Sequence, residues 1–380
     1  MMPFRDLRAQ YRALRDPLEA AVVEVMRAGC YVGGPYVEEL EERLASFVGV
    51  RHCVTCASGT DALVLSLMAG GVGPGHAVLL PDFTFFATAE AVLTVGATPV
   101  LVDVDERTFN IDPEAAEEAV KAVIAKGDLV PKALIAVDLF GLPADYGLLR
   151  PLCEQYGLWL LEDSAQGFGG AIGETRDGAF GDMAITSFFP SKPLGCMGDG
   201  GAIFTNNDTW ATLVRSMASH GAGASKYDNV RLGMNSRLDA IQAAVLLVKL
   251  GALAGEQARS EQAAARYSEA FCGAPVGLPF VPDGFTSAWA QYTVQLPEGL
   301  SRESLCHDLA EAKIPVRVYY SLPLHDQPVL RHAGCWHSAT PVADRLARTV
   351  LSLPMGPYLT EKDQHRVVAV VAEALERRAA

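Results

Sequence analysis

The sequence has little charge, and positive charge in particular is scarce. Only 20% of its 380 residues are charged, and 31 basic side chains stand against 45 acidic ones, so the formal net charge is −14. This balance argues against nucleic acid as a partner, because phosphate backbones are bound mainly by Lys and Arg. Any anionic ligand must be held by local basic groups against the field of the whole chain.

Long apolar segments are also missing. No apolar run reaches the roughly 18 residues of a membrane-spanning helix. The N-terminal residues 1–6 lack the apolar core of a signal peptide. We therefore predict a cytoplasmic protein with no membrane partner, whose 8 cysteines are reduced thiols. Because 50% of the residues are hydrophobic, intrinsic disorder is excluded for most of the chain.

Several enzyme motifs are absent as well. The chain contains no Gly-Lys-Ser or Gly-Lys-Thr of a P-loop, no His-Glu-x-x-His and no Gly-x-Ser-x-Gly. Cys53 and Cys56 have the spacing of a C-x-x-C motif, but no second pair accompanies them. On a strand these two residues point to opposite faces, so we interpret both as core residues and predict no metal site.

Seven short apolar runs are present, and most are continuous rather than alternating, which is typical of strands covered on both faces. They are His52–Cys56, Ala77–Pro81, Pro99–Val104, Ala133–Leu139, Leu158–Glu162, Met183–Phe188 and Ala202–Thr205. Helical patterns such as Asp61–Ala69 and Pro113–Lys126 separate several of them. The order predicts an α/β fold with a mainly parallel seven-stranded sheet flanked by helices.

The pattern changes after Thr205. The elements predicted there are helices at Leu238–Ala254 and Glu261–Phe271, a strand at Trp289–Gln295, a helix at Ser301–Ala312, a strand at Val316–Tyr320 and a closing helix at Glu361–Arg378. We predict a large domain over residues 1–250 and a smaller α+β domain over residues 251–380.

Small residues between a predicted strand and helix form the first candidate site segment. Gly59 and Thr60 lie between Ser58 and Asp61, where backbone N–H groups of the helix N-terminus could approach an anion. A plain helix cap is an equally good interpretation.

Two adjacent carboxylates, Glu162 and Asp163, end another apolar run. Ligands of open α/β sheets bind at such strand ends. Neighbouring side chains on a strand face opposite ways, so we expect one carboxylate to pair within the protein and the other to face a ligand. Helix-capping acids are the alternative interpretation.

Lys192 stands alone in a loop of small, aromatic and proline residues. A desolvated lysine has the lowered pKa that a Schiff-base nucleophile requires, whereas a solvated loop lysine is the alternative. Arg237, at the start of a predicted helix, is the best-placed cation for a carboxylate or phosphate. A phosphate-holding loop, a strand-end Asp and a loop Lys are the parts that bind pyridoxal 5′-phosphate (PLP), with the Asp pairing with the pyridine nitrogen.

These motifs resemble those of the DegT/DnrJ/EryC1/StrS family of PLP-dependent sugar aminotransferases, over nearly the whole chain. The resemblance implies an aspartate aminotransferase-like fold, fold type I of the PLP enzymes. It implies that Lys192 binds the cofactor covalently and transfers the proton. It also implies that Asp163 meets the pyridine nitrogen and that Gln166 lies beside the ring oxygen.

The resemblance extends to the rest of the cofactor site. It implies phosphate contacts from Gly59, Thr60 and Ser187, and stacking of Phe85 on the ring, for which a core Phe is the alternative. It also implies that Asn235 reaches the phosphate of the neighbouring subunit, so that a homodimer shares its active sites.

Within the family, residues 187–196 are most similar to the branch that acts on UDP-2-acetamido-2-deoxy-3-oxo-glucuronate, with glutamate as donor, for bacterial O-antigen. In that branch Arg237 matches a residue that meets a carboxylate. The implied sugar-pocket residues are Tyr31, Tyr319, Tyr320 and His325, with core packing as the alternative for Tyr31. The branch has His-Tyr and Asn where this chain has Tyr319-Tyr320 and His325, so the exact sugar stays open.

Three other functions are compatible with parts of the pattern. Amination at C4 of a nucleotide-linked 4-keto sugar uses largely the same motifs. A PLP-dependent sugar dehydratase has His in place of Lys192, and a non-catalytic regulator would not need Lys192, Asp163 and Gln166 together. The basic residues available to a UDP-sugar are Arg237, which we prefer, and Arg231, Lys226 and Arg317.

Overall fold

A computed structural model describes residues 2–225 and 227–379 of the chain. Its strands are β1 His52–Cys56, β2 His76–Pro81, β3 Thr98–Val102, β4 Val130–Val137, β5 Trp159–Asp163, β6 Ala171–Ile172, β7 Thr175–Arg176, β8 Met183–Ser187, β9 Gly201–Thr205, β10 Phe285–Thr286, β11 Tyr292–Gln295, β12 Trp336–His337 and β13 Val350–Leu353. Its helices are α1 Leu7–Ala28, α2 Pro35–Val48, α3 Gly59–Ala69, α4 Ala87–Thr94, α5 Pro113–Lys126, α6 Tyr146–Tyr156, α7 Asp208–Met217, α8 Ala240–Ala270, α9 Arg302–Glu311, α10 Pro328–Ala333, α11 Pro341–Thr349 and α12 Glu361–Ala379. Lys226 lies outside the described residues.

The central sheet has the strand order β1-β9-β8-β5-β4-β2-β3-β12. Neighbours from β8 to β12 are parallel, while β9 runs antiparallel to both β1 and β8. All seven predicted strands are in this sheet, and the two-residue β12 adds an eighth at its edge. One buried apolar cluster joins α3 and α4 to one face, and another joins α5 and α6 to the opposite face. The continuous apolar runs are explained by this two-sided cover, and the predicted α/β class is confirmed.

Helix α8 corrects one prediction. Instead of two helices over Leu238–Ala254 and Glu261–Phe271, a single helix of 31 residues spans Ala240–Ala270. Gly255 is tolerated inside this helix, and a side chain at its position would meet only the end of the Arg259 side chain within 4 Å. The proposed domain boundary at residue 250 therefore falls within a helix, and the two-domain division stays a prediction.

By length and mean hydropathy alone, α8 is the one helix in residues 2–225 and 227–379 that could cross a membrane. In the fold it packs against α1, α2 and α12, and 44% of its most apolar window is buried.

Two strand predictions in the C-terminal part are wrong in extent. No strand forms at Val316–Tyr320 in the part of the chain that the structure describes. Arg317 makes only an isolated bridge with Ser352, and the chain then leaves the sheet. The strand predicted at Trp289–Gln295 begins only at Tyr292, because Trp289 has a positive φ of 50° and its neighbour Ala288 donates instead to the Gly141 carbonyl.

The eight cysteines are free, as predicted. Cys53 and Cys56 are both buried on β1 and pack in different apolar clusters. They therefore lie on opposite faces of the sheet as core residues, which confirms the interpretation of the C-x-x-C spacing.

Candidate active site

The candidate site lies at the carboxyl edge of the parallel strands. The last residue of β5 is Asp163 and the last residue of β8 is Ser187, while Asp82 directly follows β2. Because these strands are parallel, their carboxyl ends share one edge of the sheet, where α/β proteins commonly bind ligands.

The structure separates the two adjacent carboxylates of β5. Asp163 is buried and accepts hydrogen bonds from the Thr88 hydroxyl (3.0 Å) and the Ala165 amide (3.2 Å). Glu162 points to the other face and accepts from the backbone N–H groups of Phe180 and Gly181. Glu162 therefore pairs within the protein, as one of the two was expected to do. Thr88 was not predicted as a site residue, although it lies three positions after Phe85 in the sequence.

Opposite charges at Lys192 and Asp163 influence each other. Burial raises the pKa of Asp163, and this effect exceeds the lowering by the Ala165 amide, the Lys192 charge and the Thr88 hydroxyl. Burial also lowers the pKa of Lys192, and the carboxylate of Asp163 only partly offsets this. The side chain of Lys192 keeps some accessible surface, but its amine is desolvated. The solvated-lysine alternative is therefore not what the structure shows.

The loop that carries Lys192 is held rigidly. The amide of Phe188 donates to Gly200 O (2.8 Å), and the amide of Cys196 donates to Phe188 O (2.7 Å). A Cβ at Gly195 would lie 2.6 Å from the Pro190 carbonyl oxygen, so only glycine fits there.

The buried side chain of Lys249, on α8, contacts the loop that carries Lys192. Its Nζ donates to the carbonyl oxygen of Gly195 at 2.6 Å. Lys249 was not predicted as a functional residue. The signal available was a single charged side chain within the apolar stretch of α8.

A cradle for an anion forms where α3 begins. Ser58 caps the helix by accepting from the Asp61 amide at 3.0 Å. The N–H groups of Gly59 and Thr60 are the first of the helix and have no partner within it. A Cβ at Gly59 would lie 2.7 Å from the Cβ of Ser187, so the glycine allows the hydroxyl of Ser187 to approach the helix start. These three residues suit a phosphate group.

Two aromatic rings and an amide side chain lie close to one another at this edge of the sheet. Phe85 is 54% exposed, which does not support its interpretation as a core residue. Its ring centroid is 6.1 Å from that of Tyr320. Gln166 donates to the Tyr320 hydroxyl at 3.1 Å, and its Oε1 accepts from the Phe140 amide at 2.9 Å. The structure thus brings Phe85, Gln166 and Tyr320 together.

Two other predicted pocket residues have partners of their own in the subunit. Tyr319 packs its ring edge-on to Phe4, with centroids 6.2 Å apart. The imidazole Nδ1 of His325 lies 2.5 Å from Asp82 Oδ2, and the His325 amide donates to Asp82 Oδ1 at 2.9 Å. His325 is therefore tied to the end of β2. This contact was not predicted, because the two residues are 243 positions apart.

The segment before α8 carries two more predicted residues. Arg237 and Asn235 are both exposed, and Arg237 donates to Asn235 Oδ1 at 2.6 Å. Tyr31 lies beside them, with its carbonyl accepting from the Ala240 amide at 2.9 Å. No recorded contact joins these three side chains to Lys192 within the described part of the subunit.

The remaining cations are engaged in the protein. Arg231 donates to the hydroxyl of Ser216. Arg317 donates to the carbonyl of Val316 and lies over the ring of Phe4.

A mainly parallel α/β sheet, with the charges of Lys192 and Asp163 acting on each other at its carboxyl edge, is the arrangement of a PLP enzyme of fold type I. Residues 13–372 match the model of the DegT/DnrJ/EryC1/StrS aminotransferase family, and the chain belongs to this family. It is a PLP-dependent sugar aminotransferase.

Individual relatives agree with this assignment. The chain is 44% identical over 359 residues to a UDP-2-acetamido-2-deoxy-3-oxo-D-glucuronate aminotransferase of Pseudomonas aeruginosa, covering 94% of this chain and 96% of the relative. It is 39% identical to a UDP-N-acetyl-3-dehydro-alpha-D-glucosamine 3-aminotransferase of Acidithiobacillus ferrooxidans, covering 98% of each chain. A solved DegT/DnrJ/EryC1/StrS aminotransferase from Brucella abortus superposes with a TM-score of 0.94 at 47% identity, covering 98% of each chain.

Proposed function

We propose that this protein transfers the amino group of glutamate to C3 of UDP-2-acetamido-2-deoxy-3-oxo-glucuronate. In this proposal it works as a cytoplasmic homodimer in the synthesis of bacterial surface polysaccharide, such as O-antigen. The observation that carries the choice of sugar is the 44% identity to the Pseudomonas enzyme over 94% of the chain. No membrane or nucleic acid partner is part of the proposal.

The residues at the strand edge fit the cofactor. Asp163 would hold the protonated pyridine nitrogen, and Gly59, Thr60 and Ser187 would hold the phosphate. Phe85 would cover one face of the ring and Gln166 would lie beside its oxygen. The cofactor, when bound, supplies an electron sink for the negative charge that forms at the reacting carbon.

Lys192 performs the proton transfer. Its lowered pKa leaves more of the free amine neutral near pH 7 than in a solvated lysine. In the first half-reaction the neutral amine would take the α-proton of glutamate and deliver it to the bound cofactor, so that the amine is neutral again. In the second half-reaction the same amine would take that proton back and give it to the sugar carbon. Glutamate leaves as 2-oxoglutarate before the keto sugar binds, so the kinetics are ping-pong.

Recognition of the sugar acid requires a local cation against the net charge of −14. We assign this role to Arg237, which is exposed and donates a hydrogen bond to Asn235. In the proposed dimer, Asn235 reaches the phosphate of the neighbouring subunit. Tyr31, Tyr319, Tyr320 and His325 are assigned to the walls of the sugar pocket.

A second candidate substrate is the uncharged 3-oxo sugar. The 39% identity to the Acidithiobacillus enzyme favours it, since that relative's name specifies a glucosamine without a carboxylate. Amination at C4 of a 4-keto sugar is a third possibility within the same chemistry.

Assays in the direction of deamination distinguish these substrates. We would supply 2-oxoglutarate with the UDP-linked 3-amino sugar acid, its uncharged 3-amino counterpart or a 4-amino sugar, and measure glutamate. We expect the highest kcat/KM with the sugar acid. Arg237→Ala should raise its KM by about 10- to 100-fold, the worth of a charged hydrogen bond, and leave the KM of the uncharged sugar unchanged.

Arg43→Ala, at an exposed arginine that pairs with Glu39 on α2, is the matched control. Faster turnover of the uncharged sugar would replace the proposed substrate with the second candidate. Faster turnover of the 4-amino sugar would contradict amination at C3.

A further inference from the structure

Three buried carboxylates lie close together on the face of β5 that is opposite Asp163. Asp138 follows β4, Glu162 lies on β5 and Asp177 follows β7. All three are fully buried, and one carboxylate oxygen from each lies within 4.8 Å of the others. This group belongs to none of the roles assigned above.

Two of these carboxylates hold hydrogen bonds that stabilise their ionised form. Glu162 accepts from three backbone N–H groups, those of Gly178, Phe180 and Gly181. Asp138 Oδ1 accepts from the Ala144 amide and the Tyr146 hydroxyl, both at 2.8 Å. Such charge-assisted bonds favour carboxylate over carboxylic acid. Burial opposes them and raises the pKa of Asp138, Glu162 and Asp177, so these bonds alone do not keep the group ionised.

Three oxygens of the group have no hydrogen-bond partner among the described residues. They are both oxygens of Asp177 and Oδ2 of Asp138. An unpaired polar group in the interior costs about 1–3 kcal/mol, and more if it is charged. These three atoms therefore point to something that the protein itself does not supply.

Basic side chains do not fill this need. Arg150 is the basic residue whose charge acts on Glu162, but its guanidinium pairs with Asp182 at 2.6 Å. Glycines at 167 and 170 allow the backbone to pack closely against the group, because a side chain at either position would collide with Asp177 Oδ2. A Cβ at Gly170 would lie 2.8 Å from Asp177 Oδ2, and one at Gly167 would lie 2.5 Å from the Cβ of Asp138.

A proton or a cation could satisfy the group. One proton shared by Asp138 and Asp177 forms a single hydrogen bond, which satisfies two of the three oxygens. One cation can contact all three, because Ca²⁺ accepts carboxylates in one- or two-oxygen mode. Ca²⁺ takes six to eight oxygen ligands in a flexible geometry, whereas Mg²⁺ requires a near-ideal octahedron and usually keeps several waters, so a site built from three protein carboxylates favours Ca²⁺.

We propose that Asp138, Glu162 and Asp177 form a calcium site that ties β4 and β5 to the loop after β7. Glu162 immediately precedes Asp163 on β5, so the ion would fix the strand that presents the cofactor-facing carboxylate. The site does not touch the reacting atoms, and its role is to position β5. The proposal is independent of which sugar is the substrate.

The test uses the PLP-loaded enzyme. The enzyme is stripped with EGTA and titrated with CaCl₂, with KCl at matched ionic strength as comparator. We expect one Ca²⁺ per chain by elemental analysis and a saturable rise of the melting temperature with CaCl₂ only. Asp177→Asn should weaken Ca²⁺ binding by about tenfold or more, since even residues outside the ligand shell contribute that much. Asp308→Asn, in the partly exposed group His307–Asp308–Glu311, should behave like the wild type.

Terbium luminescence gives a second measurement that needs no variant. Tb³⁺ replaces Ca²⁺, and Tyr146, whose hydroxyl contacts Asp138, would sensitise it. Saturation at one Tb³⁺ per chain, displaced by CaCl₂, supports the site even if Asp177→Asn does not fold.

Three results would overturn the proposal. A wild-type enzyme that neither retains Ca²⁺ nor responds to it has no such site. An Asp177→Asn variant that binds Ca²⁺ like the wild type places the ion elsewhere. If Ca²⁺ has no effect on the wild type and Asp177→Asn raises the melting temperature, the group shares a proton and binds no cation.

Discussion

At the scale of single residues, the chemistry of the site depends on where charge is buried. The charges of Lys192 and Asp163 act on each other, and burial moves both pKa values toward the neutral forms. The alternation of side chains along β5 assigned opposite faces to Glu162 and Asp163 from the sequence alone. The pairing of His325 with Asp82 had no sequence signal, because it joins the end of β2 to a turn near the C-terminus.

His325 makes a pH-dependent contribution to stability. Burial lowers its pKa, but the hydrogen bond to Asp82 and the charges of Asp82, Asp326 and Asp344 raise it more, so that the net pKa is raised. A group whose pKa is raised by folding stabilises the protein fully below its unfolded pKa of about 6.5. That stabilisation is lost as the pH rises through the folded pKa.

We therefore expect His325→Gln to lower the free energy of unfolding by on the order of 1 kcal/mol more at pH 6 than at pH 9. Denaturant unfolding at both pH values measures the difference. His307→Gln, at an exposed histidine 3.9 Å from Glu311, serves as the control and should show little pH dependence. Equal losses for His325→Gln at both pH values would contradict the ion pair.

At the scale of elements, α8 supports the loop that carries the reactive lysine. The carbonyl of Gly195, three residues after Lys192, accepts a hydrogen bond from the buried amine of Lys249. This arrangement links the longest helix of the described residues to the active-site loop.

Lys249→Met should loosen this loop. The Gly195 carbonyl would lose its donor, which costs about 1–3 kcal/mol in a buried position. We expect a lower melting temperature and faster loss of PLP on dialysis, measured by the visible cofactor band. Lys121→Met, at an exposed lysine that pairs with Glu117 on α5, is the control. Unchanged PLP retention in Lys249→Met would show that the contact does not support the site.

Elements with strong local signals were predictable. Helix α5 has the predicted bounds because Asp112 caps it, Pro113 begins it and Gly127 ends it in the left-handed conformation. The continuity of α8 and the missing strand at Val316–Tyr320 were not predictable. Packing of α8 against α1 and α2 stabilises the helix more than its glycines destabilise it. Arg317 pairs with a single strand residue, Ser352, so no strand forms at these described residues.

At the scale of the whole molecule, the proposed active site needs two subunits, because Asn235 is proposed to reach the phosphate of the neighbouring subunit. Lys192, Asp163 and Gln166 were recognisable because they lie in continuous motifs. The residues of the sugar pocket were harder to recognise from the sequence, because Tyr320 and His325 reach the sheet edge from distant parts of the chain. Asn235 and Arg237 are exposed in the single subunit, as residues that serve a neighbouring site would be.

Mixing two inactive variants tests the shared site. In a dimer of one Lys192→Ala chain and one Asn235→Ala chain, a shared arrangement places both lesions in one site and leaves the other intact. We expect activity to reappear when the two variants are mixed and allowed to exchange subunits. If both residues served their own chain, every site would carry a lesion and the mixture would stay as inactive as the separate variants.

In the proposed reaction Lys192 carries PLP and glutamate donates the amino group. Both are tested by the visible spectrum of the purified enzyme before and after addition of glutamate, with Lys192→Ala in parallel. We expect a cofactor band in the wild type that glutamate removes, with release of 2-oxoglutarate, and a variant without this band and without turnover. A band that glutamate leaves unchanged, or full activity in Lys192→Ala, would contradict the proposed reaction.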